Sequence, residues 1–357
     1  MDSQNFFKHL TIIELAGVLA GPFVGRFFCE HGARVRKIEN PLTGGDITRG
    51  WKTREEDASS LSAYYISVNQ GKEILWLNLK NTADEAQFLD LLKDCDILLT
   101  NFKGEEGISE KVNLRYLSKT FPHLIIGQVD GYPPGQQKPA YDMVLQAECG
   151  YLSLCGTEEG KFARMPVAFI DVLAGHQLKT GILMALLQKT QQGKGCTVRV
   201  NLWETALCSL INQSAAALKT GVEGKPMGTL HPGIAPYGEY FECADGRYIL
   251  LAVGSDAQFT RLCNALGLDN IIEDDQFRSN ALRVRHRDKL SAGISKKFRD
   301  HSSTEWLNRF KSIGVPAGVI RNLSEILASS EVEPLTYSVE TNGQTERSII
   351  TSCIHFQ

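Results

Sequence analysis

No C-x-x-C pair occurs among the nine cysteines of this 357-residue sequence. An odd, scattered set excludes a disulfide framework and the common zinc sites, and it reads as reduced cytoplasmic thiols serving as small buried apolar groups. Even the closest pair, Cys149 and Cys155, lacks a metal-site spacing. Charge of one sign is not in excess: the net charge is −3, which excludes bulk attraction to nucleic acid or an anionic membrane. A local basic pocket for a small anion remains compatible with that value. The first thirty residues show no basic segment ahead of an apolar core, and Glu14 and Arg26 interrupt the apolar stretch, so no secretory signal is expected. No run reads as long and apolar enough to cross a bilayer. The first glycine-rich turn has Gly17, Gly21 and Gly25 spaced G-x-x-x-G-x-x-x-G, which is neither a dinucleotide fingerprint nor a phosphate-binding P-loop. Internal repeats and low-complexity segments are also missing.

What is present is an ordinary globular composition, 43% apolar and 22% charged, in a chain long enough for two domains. Residues 10–15 (LTIIEL), 33–39, 73–79, 96–101, 123–130 and 196–201 read as strands. Residues 82–93, 105–119 and 203–219 have helical spacing, and a long helical pattern begins at Asp171 with Leu178, Ile182, Leu183, Leu186 and Leu187 on one stripe. Strand–helix alternation of this kind predicts an α/β fold, a Rossmann-like parallel sheet covered by helices on both faces. Residues 1–220 form the expected large domain. Residues 221–238, rich in Gly and Pro, read as a linker. Residues 239–321 read as a smaller α+β domain that opens with a hairpin around Ala244-Asp245-Gly246. Residues 322–357 are left as a C-terminal return segment.

Two local features carry candidate chemistry. Gly44-Gly45-Asp46-Ile47-Thr48-Arg49-Gly50-Trp51 brings Arg and Trp together in a glycine-rich loop, a set that suits a phosphate or an adenine ring and equally a structured surface loop. Asp171, placed just ahead of its helix, is expected to act as N-cap, accept N–H bonds and stay ionised, which makes it an available nucleophile. Taken alone, a lone Asp at a helix start is more often a plain cap.

The segments together resemble the family III CoA-transferases, the group of formyl-CoA transferase, carnitine CoA-transferase and the related α-methylacyl-CoA racemases. The matching stretches run in order: LAGP at 19–22, EHGARVRKIE at 30–39, GDITRGW at 45–51, NQGKEILWLNLK at 69–80, DCDILLTNF at 94–102, YDMVLQAECG at 141–150, the Asp171 helix with its GKG end, and HPGIAPYGEYFECADGRY at 231–248. The resemblance implies Asp171 as the catalytic nucleophile, with Tyr141, Asp142 and Leu19 as its neighbours. It implies coenzyme A contacts at Val18, Asn40, Leu77, Asn101, Phe102, Lys111 and Lys138. Asn40 stands where the family commonly has arginine, and Lys111 replaces an arginine, so its phosphate contact would be point-like rather than forked.

The implied activity moves coenzyme A from an acyl-CoA to a carboxylic acid through an aspartyl-CoA thioester, with acyl-CoA and acid as substrates, no metal and no permanently bound cofactor. A cytoplasmic homodimer of interlocked chains is implied as well, with no nucleic-acid or membrane partner. Two alternatives stand beside this. One is a 2-methylacyl-CoA racemase or epimerase, which needs a second base where this sequence has Tyr141 rather than histidine; His176, in the helix after Asp171, reads as a packed or surface residue. The other is a catalytically silent acyl-CoA-binding homologue, suggested by a C-terminal segment short for the family.

Overall fold

The computed structural model describes residues 5–102, 107–136, 138–157, 159–341 and 344–355. These divide into two compact units, residues 1–152, 164–224 and 333–357 in the first and 153–163 with 225–332 in the second.

The first unit is built on six strands, β1 (Thr11–Glu14), β2 (Arg34–Glu39), β3 (Glu73–Trp76), β4 (Ile97–Thr100), β5 (Ile125–Asp130) and β6 (Thr197–Asn201). They lie in the order β3-β2-β1-β4-β5-β6 and every pairing is parallel. This is the doubly wound order, with its reversal beside β1. Period-two alternation sends successive side chains to opposite faces. Ile12, Ile97, Leu99 and Ile125 therefore join one core with Val24, Phe28, Ala174 and Leu178, while Ile13, Leu98 and Ile126 join another with Phe88, Leu92 and Leu117. Helices α1 (Ala20–Glu30), α2 (Ala63–Asn69), α3 (Thr82–Leu91), α4 (Leu114–Thr120), α5 (Asp142–Glu148), the first half of α6 (Tyr151–Leu154), α7 (Phe169–Gln192), α8 (Leu202–Cys208) and α9 (Ile211–Thr220) complete the unit.

Three expectations shift. The helix expected over 105–119 begins at Leu114, because the Asn113 side chain caps it by accepting from Tyr116 N; residues 103–106 lie outside the described residues. The helix expected over 203–219 is two helices, α8 and α9, broken at Ser209 and Leu210 and followed by Ile211 at a φ of 38°. Helix α7, at 24 residues, is long and apolar enough to cross a bilayer by length and composition, contrary to the reading of the sequence. Its inner stripe of Ile170, Ala174, Leu178 and Ile182 belongs to the core of the unit, and it carries Asp171 and Lys179, as a central helix of a globular unit does.

Residues 333–357 return to the first unit as an antiparallel hairpin, β10 (Thr336–Thr341) with β11 (Gln344–Ile349), which the polar sequence there did not signal. Arg26, fully buried on α1, holds it: the guanidinium lies 4.4 Å from the Tyr337 ring and donates to Ser348 Oγ.

The second unit is α+β. Strands β7 (Tyr237–Glu242), β8 (Tyr248–Ala252) and β9 (Ala317–Val319) form an antiparallel sheet, with the β7–β8 turn at Gly246, whose φ of 74° favours glycine. Helices between Asp256 and Ile313 pack Phe259, Phe298, Trp306 and Phe310 onto Phe241 and Ile249.

Candidate active site

In open α/β sheets a crevice forms outside the carboxyl ends of the strands where their order reverses. A cleft of about 430 Å³ occupies that place, lined by Gly17, Val18, Asn40, Asp46, Leu77, Lys80 and Asn101 among others. Four of the seven implied CoA contacts, Val18, Asn40, Leu77 and Asn101, thus line one cleft. Phe102 is buried at the end of β4, its carbonyl accepting from Gln128 Nε2 at 3.1 Å. Lys111 and Lys138 are not lining residues. Lys111 is an exposed cation 3.9 Å from Glu85, and Lys138 is paired with Glu148 at 2.8 Å over the Tyr132 ring. Lys80, which does line the cleft, was not singled out from the sequence.

The loop at 44–51 is divided in its roles. Arg49 is committed to the interior: it donates to Glu39 at 2.6 Å and to the Tyr65 hydroxyl at 2.6 Å, and lies over the rings of Tyr65 and Trp76. A guanidinium so occupied is held by its own carboxylate rather than offered to a phosphate. Gly45, Asp46 and Ile47 face the cleft instead.

Beneath the cleft runs a buried ionic network. Lys37 on β2 lies 3.0 Å from Glu14 and 3.1 Å from Asp46, and its ammonium also donates to Ala16 O at 2.7 Å. Lys72 pairs with Glu14 at 2.7 Å and donates to Pro22 O. Two cations and two anions balance. Complete burial pushes Lys72 down to about 8 despite Glu14, whereas for Lys37 the two carboxylates outweigh burial and raise it. Burial alone would raise the Asp46 carboxyl, but Lys37 and the Thr48 donors reverse the sign and hold it below its ordinary value.

Asp171 is not the N-cap. The helix begins at Phe169 with Ala168 in the cap position, and Asp171 is the third helical residue, with no capping bond. The cause is upstream: Asp142 Oδ2 accepts the backbone N–H of Ile170 at 2.7 Å and so takes over part of the work of capping α7. Asp171 is 8% exposed, and burial together with the negative Asp142 raises its carboxyl to about 7 instead of keeping it low. Asp142 opens α5 and also accepts from the Gln146 amide, while Gln146 Oε1 takes the N–H of Met165 and ties down the approach to α7. Tyr141 caps α5 by position without a side-chain bond and is half exposed. Leu19 is the cap residue of α1, and Ala20 O lies 3.0 Å from where a Cβ on Gly175 would stand, one turn beyond Asp171. The Gly17–Val18 end of the cleft therefore adjoins the start of α7.

Tyr64 was missed. Its phenol is pushed above its ordinary value by burial and by Asp171, Asp142 and Asp46, which makes it a neutral hydrogen-bond donor in the field of three carboxylates. Its ring meets Trp51 edge-on at 5.1 Å. A tyrosine inside a short amphipathic helix carries no signal in a single sequence that would separate it from packing.

The fold and this centre define a doubly wound α/β enzyme with a buried carboxylate in the field of a second one, near a switch-point cleft. The chain belongs to CoA-transferase family III, whose family model matches residues 7–356. It is 34% identical over 337 residues to an acyl-CoA transferase of Fusarium pseudograminearum, covering 91% of this chain and 73% of that protein. It is 33% identical to a succinate–glutarate CoA-transferase of Agrobacterium fabrum, covering 94% and 85%. A CaiB/BaiF family protein from Brucella suis, solved by crystallography, superposes with a TM-score of 0.82 at 29% identity over 97% of this chain and 91% of its own. The protein is accordingly an enzyme of CoA transfer between acyl groups.

Proposed function

We propose that this enzyme carries coenzyme A from an acyl-CoA to a carboxylic acid through a covalent thioester on Asp171. The observation that carries the reading is a nearly buried carboxylate, lifted to about 7 by desolvation and Asp142, at the head of α7; it does not line the cleft itself, but α7 packs at Gly175 on the turn that follows the cleft residues Gly17 and Val18. A desolvated carboxylate is a stronger base and nucleophile than one in water. One Asp171 oxygen adds to the thioester carbon, and the C–S bond breaks with its electron pair going to the CoA sulfur. The mixed anhydride is then attacked by the thiolate at the aspartyl carbonyl carbon, releasing the donor acid as carboxylate and leaving aspartyl-CoA. The acceptor acid runs the same steps in reverse, so a thioester is exchanged for a thioester and no proton is consumed overall. Tyr64, kept protonated, is the side-chain donor for the oxyanion that forms at these steps.

Val18, Asn40, Leu77, Asn101 and Phe102 hold coenzyme A in this reading, with Lys111 and Lys138 as phosphate partners. Dicarboxylic acids are the first acceptors to test, because the Agrobacterium relative is named for succinate and glutarate. A homodimer belongs to the same proposal, supported by the exposed Met184 and Leu187 of α7 and Ile211 and Leu218 of α9. The cytoplasm is its proposed compartment, in keeping with nine free cysteines. The decisive experiment incubates the enzyme with succinyl-CoA and looks by mass spectrometry for a hydroxylamine-labile adduct on Asp171, then supplies glutarate and looks for glutaryl-CoA. An enzyme that makes glutaryl-CoA with no adduct on Asp171 overturns the covalent route.

A further inference from the structure

Val18 has a φ of 69°, one of two non-glycine residues with positive φ among the described residues. A β-branched side chain in the left-handed region is a genuine outlier, because its Cβ crowds the following carbonyl. Something must hold it there. Its N–H donates to Asp46 Oδ2 at 3.2 Å and Oδ1 at 3.4 Å. Asp46 is itself fixed by the Thr48 N–H at 3.0 Å, the Thr48 hydroxyl at 2.8 Å and Lys37 at 3.1 Å. Lys37 also binds Ala16 O at 2.7 Å, two residues before Val18. The turn is thus gripped on both sides, at the Ala16 carbonyl and at the Val18 amide, by one ion pair whose two side chains are nearly inaccessible.

A buried, balanced ion pair is costly machinery for a surface turn. Strained conformations that the surroundings over-determine concentrate at active sites. Here Gly17 and Val18 line the cleft, and the helix they lead into packs its first turn against Gly175, one turn beyond Asp171. The other end of the cleft is formed by Asn78 and Lys80, past the edge strand β3. An acyl-CoA lying in it with its thioester toward Asp171 must pass the Val18 turn last.

We propose that Asp46, clamped by Lys37, is a positioning residue that holds Val18 in the left-handed conformation and so fixes the turn that aligns the thioester of acyl-CoA with Asp171. This rests on the aspartyl-thioester reading above. Asp46 touches the backbone rather than the reacting atoms, so its loss is felt most in the acylation step and less in the binding of coenzyme A, which keeps Asn40, Leu77 and Asn101 in the cleft.

The test compares wild type, Asp46→Ala and Asp46→Ala/Val18→Gly in single-turnover loading of Asp171 from succinyl-CoA, followed by mass spectrometry, with calorimetric Kd values for coenzyme A. Asp46→Ala is expected to slow loading by about 10-fold to 100-fold, the range a misplacement of about 1 Å causes, while the Kd moves by less than about threefold. Glycine adopts positive φ without a clamp, so the double variant regains most of the loading rate. A role in stability alone would lower Tm and gain nothing from glycine at 18. If Asp46→Ala does not fold, Asp46→Leu, which keeps the side-chain volume and offers no acceptor to the Val18 N–H, enters the same comparison with and without Val18→Gly. Loading at the wild-type rate in the Asp46 variant, or no recovery in the double variant, overturns the positioning role alone. A wild-type enzyme that never loads Asp171 overturns the aspartyl-thioester reading and the positioning role with it; the two failures are therefore told apart by the wild-type lane.

Discussion

Asp142 binds the backbone N–H of Ile170 at 2.7 Å and its charge, second only to burial, raises the carboxyl of Asp171 to about 7. One acid therefore both ends the approach to α7 and sets the basicity of its neighbour. Since the attacking form of Asp171 is the carboxylate, kcat/KM for acylation should rise with pH through about 7 and level off above it.

Asp142→Asn removes the neighbouring charge and leaves an isosteric side chain. The apparent pKa read from the pH profile of kcat/KM should fall, by up to about one unit at the separations at which carboxylate pairs couple. The activity at pH 6 relative to pH 8 should therefore rise in the variant. An unchanged profile would show that burial alone sets the Asp171 carboxyl.

Stability should move opposite to activity at Asp171. In the unfolded chain this carboxyl titrates near its ordinary 3.8, and in the fold near 7. Between those values the folded state holds more proton than the unfolded state, so stability falls as pH rises from about 4 to about 7 and then stays level. Three pKa units correspond to an upper bound of about 4 kcal/mol, reduced in practice by local relaxation. Asp171→Asn should thus abolish transfer yet raise the unfolding free energy by roughly 1–3 kcal/mol at pH 8 and by little at pH 4. Denaturant titrations at the two pH values read this directly, and a variant destabilised at pH 8 contradicts it.

Much of the fold was legible because the sheet's strands are short, buried apolar runs separated by helical spacing. All six expected starts fall within two residues of those observed, and the α/β class follows from the alternation itself. The hairpin of β10 and β11 was not legible: its strands, TYSVET and QTERSI, carry only Tyr337, Val339 and Ile349 as large apolar residues, and its docking depends on Arg26, Gln70 and Glu30, hundreds of residues away. The same holds at the site. Val18, Asn40, Leu77 and Asn101 could be placed through ordered motifs, but the cap position of Asp171 could not, because the partner of Ile170 is Asp142, 28 residues earlier. Burial reversed the expected direction of the Asp171 titration, and burial is a property of the fold rather than of the local sequence.

The Lys138–Glu148 pair makes a prediction about coenzyme A. As a phosphate partner, Lys138 must leave Glu148, with which it now forms two hydrogen bonds at 2.8 and 2.9 Å. Lys138→Ala should weaken coenzyme A binding and flatten its salt dependence, whereas Glu148→Gln, which frees the ammonium, should tighten binding by about threefold, a typical size for an exposed pair. Calorimetry at two ionic strengths measures both. Equal affinity in all three proteins removes Lys138 from the phosphate site.

Tyr141 decides between CoA transfer and α-proton chemistry. Racemisation requires two bases, one on each face of the α-carbon. Tyr141 is half exposed at the start of α5 and makes no capping bond through its side chain. A phenol offers far poorer general-base chemistry than the histidine a racemase carries at this position. His176, the histidine on α7, is turned against Phe23 with ring centroids 5.1 Å apart, and burial followed by Lys179 lowers its pKa. The enzyme should therefore transfer coenzyme A without exchanging the α-proton of 2-methylacyl-CoA in heavy water, and Tyr141→Phe should retain transfer within about threefold, the scale of one lost exposed hydrogen bond. Proton NMR of the recovered thioester gives the exchange rate. Deuterium entering the α-position as fast as turnover, and lost in Tyr141→Phe, would make this residue a base and the protein a racemase.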